Sequence, residues 1–240
     1  MAALTRERLD DGIEIIRLDR PEARNAMNSA MLAELEAALA ELAADPDLRV
    51  LILSTTDVQA FSAGADVREE LDYEGGVARM EAFARVYKAV NDFPTPTIAV
   101  CVGNVVGGGA EVAAGCDLRV GGDNLKLAFA GAKMGVPVGP ARLAPLIGVS
   151  KAKDLIFTGR VVDAEEAERL GLLGRRVPAE EAEAAALELA RELAQRPPKG
   201  MRRLKELFRE YERMDERIAR ENSEIIEFQR SGGRLPYHKA

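Results

Sequence analysis

The sequence predicts an α/β fold in which short buried strands alternate with amphipathic helices. Two apolar runs, Val50–Leu53 and Ile98–Val102, have the length of buried strands. Each run follows a segment with apolar residues at three-and-four spacing, residues 31–42 before the first and residues 80–90 before the second. Such alternation is typical of parallel strands joined by right-handed crossovers, so binding loops are expected at the carboxyl ends of the strands.

The ends of the predicted elements are marked by turn and capping residues. Residues 4–9 and 13–18 flank a glycine-containing turn, which predicts a β-hairpin. Asn28 or Ser29 is placed to cap the first helix. The second helix must end ahead of Pro94, because the residue before a proline disfavours helical geometry.

Strand signals become sparse after about residue 145, and helices are predicted in succession. Their ranges are 150–159, 163–170, 179–195 and 201–229. We therefore divide the chain into an α/β core at residues 1–190 and a helical C-terminal segment at residues 191–240. The core is expected to carry the binding site, and the C-terminal segment to serve in oligomerisation and as an active-site lid.

Composition and charge exclude several classes of function. The net charge of −7 argues against general nucleic-acid binding, which requires clustered cations. The only histidine, His238, is close to the C-terminus, so catalytic triads and histidine-rich metal sites are not expected. Cys101 and Cys116 lie in apolar surroundings and fit reduced core residues. No apolar run is long enough for a membrane span and no signal peptide is visible, so we expect a cytoplasmic protein.

Two glycine-bearing segments follow the two predicted strands. They are residues 60–66 and residues 103–111, and small residues in them let the backbone approach a ligand closely. Three consecutive glycines, 107–109, open a helix and present unpaired N–H groups at the positive end of its dipole. An anionic oxygen is the natural ligand. A nucleotide phosphate is the weaker interpretation, because neither GxxxxGK[ST] nor a GxGxxG fingerprint is present.

Glu111 lies three residues after Gly108 and so about one helical turn inside the same helix. A carboxylate there could transfer protons to and from a ligand bound at the glycines. It could equally complement the helix dipole or cap the helix. The residues alone leave both interpretations open.

Together these segments resemble the crotonase superfamily, the enoyl-CoA hydratase/isomerase family. RPEARNAMN (residues 20–28) and FSAGADV (residues 61–67) resemble its first oxyanion and CoA-binding segment. VGNVVGGGAEVAAGCDLRV (residues 102–120) resembles its second, and the likeness continues through residues 156–173. The resemblance covers about residues 10–190. It implies a crotonase-like (ClpP/crotonase) ββα spiral core, followed here by the helical C-terminal segment.

The resemblance also implies roles for individual residues. The backbone N–H groups of Ala65 and Gly108 would converge on a thioester oxygen and stabilise an enolate as it forms. Glu111 matches one of two glutamates that hydratases of the family use in acid–base catalysis. Further residues would contact the CoA or acyl group: Arg24, Ala26, Ala63, Gly64, Asp66, Gly107 and Gly131.

The chain departs from the hydratase pattern at Gly131, where the second glutamate would fall when counted without gaps from Glu111. The glycine is expected to leave room in the acyl pocket but supplies no proton. Water addition to a 2-enoyl-CoA is our first interpretation, since one carboxylate can act as base and acid in sequence. Double-bond isomerisation asks less of a single group, but family isomerases with one acid usually keep it near the position of Gly131. An acyl-CoA-binding protein without turnover is the alternative from another class.

The acidic stretch at residues 69–74 is one source of a replacement acid, although a charge run beside two glycines is usually a solvated loop. The expected partner is an acyl-CoA thioester. Coenzyme A is then part of the substrate, and no separate cofactor or metal is expected. The resemblance further implies a homo-oligomer, a trimer or a dimer of trimers. No nucleic acid or membrane partner is expected.

Overall fold

The structure, a computed structural model, describes residues 2–233 and residue 235. His238, expected to lie on the surface, falls outside the described residues. The chain forms two β-sheets with helices packed against them. None of the described helices has the length and apolar character needed to cross a bilayer.

The larger sheet contains six strands in the order β1-β2-β3-β5-β7-β10. The strands are β1 (Leu4–Arg8), β2 (Ile13–Leu18), β3 (Val50–Thr55), β5 (Thr97–Cys101), β7 (Leu118–Gly122) and β10 (Arg175–Val177). β1 and β2 pair antiparallel, with Arg6 opposite Ile16, which confirms the predicted hairpin. The remaining pairs are parallel, as the alternation of strands and helices predicts.

A second sheet consists of shorter strands in the order β4-β6-β8-β9. Its strands are β4 (Ala60–Ser62), β6 (Asn104–Val106), β8 (Lys126–Ala128) and β9 (Val162–Asp163). Each of β4, β6 and β8 follows a strand of the larger sheet and leads toward a helix. This repeat of two strands and a helix is the ββα spiral that the resemblance implies.

The first helix begins at the capping residue that the sequence predicts. The helices are α1 (Ser29–Ala43), α2 (Tyr73–Asn91), α3 (Gly108–Gly115), α4 (Pro140–Ile147), α5 (Val149–Thr158), α6 (Ala164–Arg169), α7 (Ala182–Ala194), α8 (Pro198–Tyr211) and α9 (Met214–Arg230). The side chain of Asn28 accepts a hydrogen bond from the N–H of Met31 and so caps α1. Asp72 caps α2 in the same way through the N–H of Gly75.

The larger sheet is buried on both faces, because side chains alternate along each strand. Leu51 and Leu53 of β3 belong to the main core, which α1 and α2 cover. Val50 and Ile52 point to the opposite face, where the small residues of α7 pack closely. The boundary expected at residue 190 therefore falls inside a helix that packs on the sheet.

The prediction of one helix over residues 201–229 is wrong. The chain breaks after Tyr211, and Arg213 adopts the left-handed conformation with φ +47° between α8 and α9. The sequence carries no glycine or proline at this point to signal the break. The consequence matters for the site, because the turn directs α9 back onto α2 and α4.

Candidate active site

A small cavity lies at the start of α3, between the two glycine-bearing segments. Its volume is about 130 Å³. It is lined by Ala63, Gly64, Ala65, Val67, Met80, Phe83, Tyr87, Val106, Gly107, Gly108, Ala130, Gly131, Met134, Val136, Val138, Ile225 and Leu235. The lining is predominantly apolar, so a charge that develops in this cavity depends on backbone dipoles for stabilisation.

Gly64 brings the two backbone segments close together. It adopts φ +92°, and a Cβ placed on it would lie 2.7 Å from the carbonyl oxygen of Val106 and 3.2 Å from the nitrogen of Gly108. Only glycine fits such a contact. The N–H groups of Ala65 and Gly108 donate to no group in the described part of the chain. The geometry therefore leaves two backbone donors beside one apolar cavity.

Six of the ten predicted site residues line this cavity, and Arg24, Ala26, Asp66 and Glu111 do not. Asp66 is buried and makes an ion pair with Arg20, at 3.1 Å from Oδ2 to Nη1. Arg24 is exposed with φ +52°, and its carbonyl oxygen accepts the N–H of Ala63 at 2.9 Å. Ala26 is buried, and its carbonyl oxygen accepts a hydrogen bond from Arg20. The contacts of Arg24, Ala26 and Asp66 thus stabilise the conformation of the first glycine-bearing segment. Their contact with CoA stays a prediction.

Glu111 lies behind the cavity wall rather than in its lining. Only 1% of the residue is exposed. Its Oε2 is 3.4 Å from Nη1 of Arg142, whose guanidinium group also binds Glu221 and donates from Nη2 to Asn222 at 3.1 Å. Two carboxyl groups thus share one buried cation, and Glu221 makes the closer contact.

This arrangement changes the acid strength of Glu111. Burial raises the pKa of its carboxyl group to about 8; the charge of Glu221 also raises it, while Arg142 lowers it. The carboxyl group is therefore poised to gain or lose a proton near neutral pH, the property that a general acid or base requires.

Gly131 lines the cavity, but neighbouring atoms fill the space that a side chain at this position would occupy. A Cβ at this position would lie 2.6 Å from Cγ1 of Val138 and 2.9 Å from the carbonyl oxygen of Val136. The short loop after Gly131 folds into that space. The expectation that the glycine leaves room in the acyl pocket is therefore wrong at this position.

The acidic stretch at residues 69–74 stands apart from the cavity at α3. Glu69 accepts the N–H of Ser29 at 3.0 Å and lies 3.7 Å from Arg79, and Asp72 caps α2. These acids line an adjoining cavity of about 360 Å³ instead. They do not replace the carboxylate that is absent at Gly131.

Sequence reasoning missed three residues of the site. Tyr87 lies in the apolar pattern of residues 80–90 that predicts the second helix, and that pattern indicates only packing, although the hydroxyl group distinguishes Tyr87 from its neighbours. Arg142 lies in the first turn of α4, and Glu221 lies on α9, where 8 of the 17 residues are charged. The sequence holds no signal that separates these two buried charges from the solvated ones around them.

The described residues contain no group of three or more histidine, cysteine, aspartate or glutamate side chains arranged to hold a metal ion. Cys101 and Cys116 are free thiols in the core. Burial raises the pKa of each thiol to about 12, so neither is a nucleophile at neutral pH.

Comparison with known proteins identifies the family. Residues 8–230 match the enoyl-CoA hydratase/isomerase family. The "Probable enoyl-CoA hydratase" of Mycobacterium tuberculosis is 42% identical over 166 residues, 68% of this chain and 64% of that protein. Human "Enoyl-CoA hydratase domain-containing protein 2, mitochondrial" is 39% identical over 78% of this chain and 65% of its own length. The matched region thus spans just under two thirds of these relatives.

Solved structures agree with this result. The enoyl-CoA hydratase of Bacillus anthracis superposes with a TM-score of 0.83 at 27% identity, over 98% of both chains. The chain therefore belongs to the enoyl-CoA hydratase/isomerase family, and the predicted crotonase-like fold is confirmed.

Proposed function

We propose that this protein binds an acyl-CoA thioester in the cavity at α3 and adds water to a 2-enoyl-CoA. One observation carries the proposal: the unpaired N–H groups of Ala65 and Gly108 stand beside the same apolar cavity. A thioester oxygen placed between them becomes negative as the enolate forms. Each such donor contributes about 3 to 4 kcal/mol to the stabilisation of a developing oxyanion. Coenzyme A is part of the substrate in this proposal.

Glu111 is the proposed acid–base group. It lies on α3 one turn beyond Gly108, and its pKa of about 8 lets it exchange a proton near neutral pH. As a carboxylate it takes a proton from the attacking water. As the resulting acid it supplies a proton to the α carbon, so that a single group serves both steps.

The test is hydration of crotonyl-CoA and longer 2-enoyl-CoAs by the purified protein, compared with Glu111→Gln. The proposal predicts turnover by the native protein and a loss of about 100-fold or more in kcat for the variant, while acyl-CoA binding persists. No water addition to any chain length, with the variant indistinguishable from the native protein, would sink the hydratase assignment. Acyl-CoA binding without chemistry on any thioester would instead favour the binding protein.

Double-bond isomerisation is the second candidate, because Glu111 is the one carboxyl group proposed here to transfer protons. A 1,3-shift removes a proton at one carbon and returns it at another, which one carboxyl group can perform alone. Deuterium uptake at the α and γ carbons of a 3-enoyl-CoA, with no net water addition, would select isomerase over hydratase.

We further propose that the chain forms a homo-oligomer. Large apolar side chains remain exposed on α5 and α8: Phe157 is 73% exposed and Phe208 is 69% exposed. Exposed apolar groups of this size are typical of interfaces. Light scattering should give the mass of a trimer or hexamer, and a monomer mass would contradict the proposal. A cytoplasmic location stays a prediction.

A further inference from the structure

Among the described residues, one side chain that lines the cavity at α3 can carry a proton. Among the described residues that line it, Tyr87 alone has a polar side chain, and the rest are glycine or apolar residues. Glu111 is not in the lining. Of the groups in the lining, the hydroxyl group of Tyr87 is therefore the one able to pass a proton between a bound acyl group and Glu111, whose charge it senses.

The hydroxyl group lies beside the proposed oxyanion site. A Cβ placed on Gly108 would be 3.1 Å from Oη of Tyr87. Within residues 2–233 and 235 this hydroxyl group has no hydrogen-bond partner, so it is available to a ligand. A thioester whose oxygen faces the N–H of Gly108 consequently brings its reacting carbons close to Tyr87.

The ring of Tyr87 is held by the same charges that surround Glu111. The guanidinium carbon of Arg142 lies 4.5 Å from the ring centroid, and Nη1 of Arg142 is 3.4 Å from Glu111. The groups that face the phenol are Glu111 on α3, Arg142 on α4 and Glu221 on α9. Burial raises the pKa of Tyr87, so the phenol keeps its proton and can both donate and accept a hydrogen bond.

We propose that Tyr87 is a further catalytic residue that relays protons between the acyl group and Glu111. The proposal rests on the function proposed above and adds the group through which the buried carboxyl group acts. It also gives the proposed hydration a route with glycine at position 131, because Glu111 takes part in both proton transfers through Tyr87.

In the first step the oxygen of water bonds to the β carbon, and the π electrons of the double bond move toward the thioester oxygen. The proton that water loses passes to Oη of Tyr87 while Tyr87 gives its own proton to the Glu111 carboxylate, directly or through one water molecule. In the second step Glu111 returns the proton through Tyr87 to the α carbon, and the thioester carbonyl re-forms. The sum is the addition of one water molecule, and no phenolate accumulates.

The test replaces the hydroxyl group and keeps the ring. Tyr87→Phe retains the packing against Phe83 and Arg142, so the variant should fold, which thermal unfolding verifies. Two activities are measured: hydration of crotonyl-CoA, and exchange of the α protons of butyryl-CoA in D₂O. The matched control is Tyr211→Phe, which removes a phenol hydroxyl group from a residue that is 79% exposed on α8.

We expect Tyr87→Phe to lower kcat and the exchange rate together by about 100-fold or more, with KM changed only a few-fold. Tyr211→Phe should match the native protein. Native rates in Tyr87→Phe, with Glu111→Gln still inactive, would overturn the relay and leave the proposed function standing. A native protein that neither hydrates nor exchanges would overturn the proposed function, and the relay with it.

Discussion

Nη1 of Arg142 lies 3.4 Å from Oε2 of Glu111, and both side chains are almost completely buried. A buried carboxylate paired with a buried arginine would ordinarily stay ionised. Here the same guanidinium group binds Glu221 more closely, and Glu111 retains the weaker contact. The acid–base properties of the site are therefore set partly by α9, an element distant from α3 in sequence.

The first prediction concerns stability and pH. Because the pKa of Glu111 is raised to about 8 in the folded protein, the folded state binds more protons than the unfolded state between about pH 4.5 and pH 8. The Glu111 carboxyl group therefore makes its full contribution to the free energy of unfolding below that range. The contribution is lost as pH rises through the range, by at most about 1.4 kcal/mol per pH unit. Glu111→Gln should therefore gain stability relative to the native protein from pH 5 to pH 8.

Denaturant unfolding of both proteins at each pH measures this difference. Glu165→Gln is the control, because it also removes one carboxyl group, from a side chain that is 77% exposed. A stability difference between Glu111→Gln and the native protein that does not vary with pH would mean that the Glu111 carboxyl group has an ordinary pKa in the folded state.

The second prediction concerns Glu221. Glu221→Gln removes a negative charge from the neighbourhood of Glu111 and leaves Arg142 free to pair with it, so the pKa of Glu111 should fall below about 8. If ionised Glu111 is the base, kcat/KM of the native protein rises with pH, and the midpoint of this rise lies near pH 8. The midpoint should move to lower pH in the variant. Glu224→Gln, one turn or less along α9 and 44% exposed, should leave it in place.

The fold was largely predictable because its signals are local. The apolar runs of β3 and β5 and the capping side chain of Asn28 act within a few residues, and the structure confirms them. The break at Arg213 was not predictable, since a charged residue in the left-handed conformation carries no sequence signal. β10 was also missed, because three residues at a sheet edge are too few to show a period.

From the sequence, only the part of the site that backbone groups form was predictable. Gly64 marks the close approach of the two segments, which no other residue type allows, and Gly64, Gly107 and Gly108 line the cavity. The partners of Glu111 depend instead on how α4 and α9 pack in three dimensions. Arg142 and Glu221 are separated by 79 residues, and nothing in the sequence links them.

The third prediction tests the close approach of the two backbone donors. Gly64→Ala places a Cβ 2.7 Å from the carbonyl oxygen of Val106 at φ +92°, so the segment that carries Ala65 must shift. We expect kcat to fall by about 10²-fold or more, the effect of misplacing one oxyanion donor, and stability to fall by about 1 to 3 kcal/mol. Gly200→Ala, where the added Cβ meets no atom within 4 Å, is the control: kcat should not change, and stability should stay the same or rise by up to about 1 kcal/mol, because alanine favours the helix. Native activity in Gly64→Ala would show that this approach does not form the site.

The fourth prediction asks whether the missing carboxylate can be restored. A glutamate at position 131 would match the hydratase pattern, but its Cβ would lie 2.6 Å from Cγ1 of Val138 and 2.9 Å from the carbonyl oxygen of Val136. Gly131→Glu should therefore lose about 1 to 3 kcal/mol of stability and should not gain hydratase activity, because the loop must move before the carboxyl group can enter the cavity. Adding Val138→Ala relieves only the side-chain contact. The double variant should thus recover part of the stability in denaturant unfolding, with Val138→Ala alone as the reference. A single variant with native stability and faster hydration would mean that the loop after Gly131 yields freely, and that its packing does not exclude a second acid.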